Sequence, residues 1–208
     1  CKHADRESDL LILHAGLPEL SAKYNPLTNF VNVSEVATRV TSAIQAEGEG
    51  KQFQDFAWKF LNIVSTCLYE MGETLIYINL SFYIARPKQL LYQYCEMRLP
   101  QEDPNYHQAV DDLMAENSNK FDNKGKKKAD FSRPEAAKMY VDRYIQDTLE
   151  QGDHTIYDSI IVDLHYAASL GEEYYSKITA SLGPVFDKIN KTSAREVFSW
   201  EGKTNLPV

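Results

Sequence analysis

Three cysteines in 208 residues, Cys1, Cys67 and Cys95, are too few and odd in number for a disulfide framework, which points to a reducing compartment. Cys67 and Cys95 stand among apolar residues at helical spacing and read as small buried hydrophobes. Long apolar runs are missing as well. A bilayer span needs about 20 such residues, and the longest candidate, Leu75 to Ala85, is shorter and carries Asn79 and Ser81. Cys1 to Asp9 is polar and lacks the apolar stretch of a secretory signal, and Cys1 in place of a methionine reads as the start of a segment taken from a longer chain. Basic charge is in deficit, with 22 Lys and Arg against 30 Asp and Glu, a net charge of −8. That balance disfavours a surface given over to nucleic acid and leaves room only for a local basic patch.

The patterns that carry chemistry are also short of their parts. Gly48-Glu49-Gly50-Lys51 resembles a phosphate loop, but position 45 is Gln where the pattern needs Gly, and position 52 is Gln where it needs Ser or Thr. An interhelical turn is the plainer reading. No two of His3, His14, His107, His154 and His165 stand four apart, and no Cys-x-x-Cys occurs, so no metal site is expected. Asp163 and His165, two apart, point to different helix faces. There is no Gly-x-Ser-x-Gly turn for a nucleophile. The adjacent carboxylates Asp111-Asp112 and Glu172-Glu173 read as solvated helix faces. No catalytic residue is therefore assigned.

What the chain does contain is helical periodicity. Val36, Val40, Ala43 and Ile44 mark one face after the capping-box pair Asn32 and Glu35. Phe53, Phe56, Ala57, Phe60, Ile63, Val64, Cys67 and Leu68 mark a second helix, closed by Gly72. A third segment runs from Thr74 to Ala85, and a fourth from Pro87 to Leu99, with a turn expected over Pro100 to Pro104. Further helices are expected from Pro104 to about Glu116, from Ser132 and Pro134 to Gly152, from Asp153 to Gly171, and from Glu172 onward, with Gly183-Pro184 kinking or breaking the last. The incoming segment differs. Leu10 to Leu13, followed by Gly16 and Pro18, reads as one buried strand with no sheet of its own to join. The fold class is therefore all-α, a bundle of seven or eight helices with a strand-like start. Its expected divisions are 1–33, 34–191 and 192–208, and the pattern suits a helical insertion into a larger α/β protein.

Two surface features remain. Lys120, Lys124, Lys126, Lys127 and Lys128 fall in a polar stretch, Asn117 to Asp130, without apolar period. This reads as a mobile loop that either solubilises the chain or meets phosphates without reading sequence. Thirteen tyrosines, Tyr92, Tyr106, Tyr140 and Tyr144 among them, supply rings that suit either core edges or interfaces.

Leu10 to Leu13, Gly16-Leu17-Pro18-Glu19, Ser21 to Leu27 with its Tyr24-Asn25-Pro26-Leu27 turn, Ser34 to Val40, and Phe53-Gln54-Asp55-Phe56-Ala57-Trp58 together resemble one family. It is that of conjugative coupling proteins of the TraD type, in the version found on integrating conjugative elements. The resemblance covers roughly the first third of the chain. It implies the all-alpha domain inserted in a RecA-like motor, a part that helps to recognise the transfer substrate: the relaxase, its relaxosome partners and the DNA. It further implies a homohexameric parent at the cytoplasmic face of the bacterial inner membrane. ATP and magnesium would belong to the parent's motor, and this segment, without cofactor or catalytic residue, would be monomeric or weakly associated. Against it stand two readings that need no parent: a free-standing helical enzyme, and a helical scaffold.

Overall fold

The computed structural model describes residues 11–44, 50–118, 132–151 and 159–199. Among these the chain is all-α, with nine helices: α1 (Ser34–Thr41), α2 (Gly50–Glu70), α3 (Tyr77–Ile84), α4 (Pro87–Glu102), α5 (Tyr106–Ser118), α6 (Arg133–Gln151), α7 (Ser159–Ser169), α8 (Glu172–Asn190) and α9 (Ala194–Phe198). None of the described helices is long and apolar enough to cross a membrane. The helices group into two compact units, Cys1–Pro87 with Leu170–Val208, and Lys88–Ser169.

In the first unit α2 packs against α1, α3 and α8, and α8 also packs against α3 and α9. The apolar face read from the sequence is the one that packs: Ala57, Phe60, Val64, Cys67 and Leu68 are all buried. Gly72, at φ 73°, ends α2. The amide of Glu73 donates to Leu68 O at 2.9 Å and that of Gly72 to Tyr69 O at 3.0 Å, a Schellman closure that needs a left-handed residue at this place. Ile178, Leu182 and Phe186 bring α8 into the core, where Phe186 meets Tyr77 edge to face.

In the second unit α5 packs on α6. Leu90, Tyr94, Cys95 and Leu99 of α4, Val110 of α5, Val141 of α6 and Leu164 of α7 are almost fully withdrawn from water. Each such aliphatic side chain contributes about 2 kcal/mol by leaving water.

Several expectations need correction. No strand forms among the described residues; Leu11 to Leu13 are non-helical and exposed, and Leu10 lies outside the description. An extended segment needs a neighbouring strand to become a ladder, and none is there. The turn expected from Pro100 shrinks, because α4 continues through Pro100 to Glu102. Proline removes one amide donor, and next to the helix end that costs a single bond. Asp103 N still closes onto Leu99 O at 2.8 Å, and the Gln101 side-chain amide donates to Met97 O. Of the kink or break expected at Gly183-Pro184, the break does not occur, since α8 runs through both residues. The first helix ends at Thr41 rather than near Gly48, and Gln54 of α2 explains the stop. Its amide donates to Thr41 O at 3.0 Å and to Ile44 O at 3.4 Å, satisfying carbonyls that a longer helix would have used.

The capping glutamate Glu35 acts as read, and Glu135, which the sequence reading did not mark, does the same at α6. Glu35 Oε1 accepts from the amides of Val31 and Asn32, and Glu135 Oε2 from the amide and hydroxyl of Ser132. Asn32 itself caps one position early, its Oδ1 accepting from Ser34 N. These bonds lower both carboxyl pKa values: for Glu35 chiefly the backbone amide of Asn32, for Glu135 chiefly the Ser132 hydroxyl. A carboxyl depressed in the folded state stabilises above its unfolded pKa, and that gain is lost as pH falls through the folded value. The melting-temperature difference between the parent chain and Glu35→Gln/Glu135→Gln should therefore be present at pH 7 and vanish on acidification below the carboxylate range. A difference that holds constant to low pH would overturn this assignment.

Candidate functional site

The second unit carries a cleft of about 280 Å³, lined by Glu96 and Pro100 of α4, Tyr106 and His107 of α5, and Arg133, Pro134 and Ala137 of α6. Its floor follows from the helix faces. Tyr106 and Ala137 each turn inward and are buried, while Glu96, His107, Arg133 and Pro134 stay at the exposed rim. The Tyr106 ring meets Tyr140 at 5.2 Å and His107 at 5.3 Å, both edge to face, and Tyr140 stacks near Tyr144 at 6.4 Å. Beneath the rim the Tyr140 hydroxyl donates to Asp103 Oδ2, while Asp103 Oδ1 accepts from Asn105 N at 2.8 Å. Burial and then the Asp103 carboxylate push the Tyr140 phenol far above its ordinary pKa, so it stays a donor. Burial likewise raises Tyr106, with Glu96 adding to the rise and Arg133 opposing it.

At the rim Arg133 Nε donates to Asp111 Oδ1 at 3.2 Å, and its Nη2 lies 3.3 Å from His107 Nδ1. A guanidinium can only donate, so this contact makes Nδ1 the acceptor and leaves the imidazole proton on Nε2. A few residues away on the same unit, Tyr92 lies between the ammonium groups of Lys88 and Lys138, at 5.6 and 5.5 Å, and its hydroxyl reaches Asp142. The hydrogen bond with Tyr92 raises the Lys88 pKa.

The first unit carries a different feature. Leu11, Ile12, Leu13, Leu17 and Leu20 are between 40% and 70% exposed. Ile12 O accepts from Ala22 N at 2.7 Å, whereas Leu11 and Leu13 have no backbone partner among the described residues. The incoming segment is also tied to the outgoing one: Tyr24 N donates to Val197 O at 2.9 Å. Between them the Tyr24-Asn25-Pro26-Leu27 turn is locked to the helices. Asn25 is buried, donating to Leu75 O at 2.8 Å and accepting from Leu27 N at 3.0 Å. Arg39 of α1 donates to the carbonyls of Pro26, Thr28 and Asn29 and pairs with Glu35. Asn29 itself has φ 56°, a left-handed position that asparagine tolerates better than most residues. Trp58 of α2 donates to Thr38 Oγ1 at 3.0 Å.

Of the residues singled out in the sequence, Lys120, Lys124, Lys126, Lys127 and Lys128 lie outside the described residues. Cys67 and Cys95 are buried and take part in no disulfide. Asp163 is exposed and His165 half-buried on α7, and no group of three or more His, Cys, Asp or Glu able to hold a metal occurs among the described residues. Arg133 and Glu96 went unmarked in the sequence, since only the packing of the helices brings them to one cleft. A scan against protein-family models finds no match, and searches of curated proteins and of solved structures find none either.

Proposed function

We propose that this chain is a non-catalytic substrate-recognition domain of a conjugative coupling protein, inserted in a motor that feeds DNA to a type IV secretion channel. The observation that carries the reading is the meeting of the incoming and outgoing segments at Tyr24 and Val197. A domain whose chain leaves beside the point where it came in can sit within a host protein without stretching it. The exposed run Leu11-Ile12-Leu13 supports the same reading, because an apolar stretch open on both faces suits a strand buried inside a parallel sheet. The sequence resemblance supplies the rest. Its partners would be the relaxase and relaxosome proteins, with DNA as a further one, at the cytoplasmic face of the inner membrane, and ATP and magnesium would bind only the parent motor. The parent coding sequence tests this directly. A nucleotide-binding loop upstream and an acidic strand end downstream support the reading; their absence from both flanks sinks it.

The lysine cluster gives a second test. The body of the chain is acidic, so phosphate contacts have to come from a local patch, and Lys124, Lys126, Lys127 and Lys128 form the densest one. DNA binding by the chain should be weak, independent of sequence and steeply salt-dependent. Replacing these four lysines by glutamine should remove most of it, and each lost phosphate contact should reduce the slope of log affinity against log salt by about 1. Anisotropy titrations of single- and double-stranded DNA at two salt concentrations measure this. An unchanged quadruple variant would show that the lysines do not contact DNA.

A further inference from the structure

We draw no further inference here: the strongest candidate, the exposed apolar patch of Leu11, Ile12, Leu13, Leu17 and Leu20 on the incoming segment of the first unit, carries none because nothing in the structure shows what covers it.

Discussion

Asn25→Ala should lower the stability of the first unit by about 3 kcal/mol, more than the loss of any exposed helix cap, which costs about 1 kcal/mol. Asn25 is 1% exposed, and each end of its amide serves a different buried backbone group. Removing it leaves Leu75 O without its donor and Leu27 N without its acceptor, at residues 4% and 0% exposed. An orphaned buried group costs about 1–3 kcal/mol, because no water reaches it to replace the lost bond. Urea denaturation followed by tryptophan fluorescence reports on this unit through Trp58, whose indole is bonded to α1. A loss under about 1 kcal/mol would show that the turn relaxes around the smaller side chain.

Arg39→Ala should cost about 2 kcal/mol in the same assay, somewhat less than Asn25→Ala although it removes more bonds. The Arg39 guanidinium contacts three carbonyls at 2.7 to 3.1 Å and the Glu35 carboxylate at 2.9 Å. Its side chain is 31% exposed, however, so water can take over several of these bonds, and the ion pair with Glu35 contributes under about 1 kcal/mol by itself. Arg39→Lys should recover less than half of the loss, since one ammonium cannot fork to carbonyls on three residues. The double variant Asn25→Ala/Arg39→Ala should lose less than the sum of the two, because both hold one turn. Strict additivity would mean that the two side chains act on independent structures.

Much of this fold was legible in the sequence because its information is local. The period of Phe60, Val64, Cys67 and Leu68, the glycine at position 72 and the capping glutamate Glu35 each act within one or two helical turns. The expectations that failed depend on what lies beyond the local chain. Leu11 to Leu13 has the composition of a strand, and composition supplies no neighbouring strand. Pro100 and Pro184 look like breakers, but a proline removes a single donor and flanking bonds can carry the helix past it. The cleft was hardest to foresee, since Glu96, His107 and Arg133 come from three helices, and only tertiary packing brings them to one rim. The sequence marks that suggested a family had their own structural meaning. Asn25, Arg39, Gln54 and Trp58 all bond across the joint between the incoming turn, α1 and α2, which explains their spacing without assigning them any chemistry.

The bond from Tyr24 to Val197 has a mechanical consequence. A pull applied outward at Tyr24 and Val197 meets this tie first, so the bond is the first contact to bear a load applied on either side of that pair.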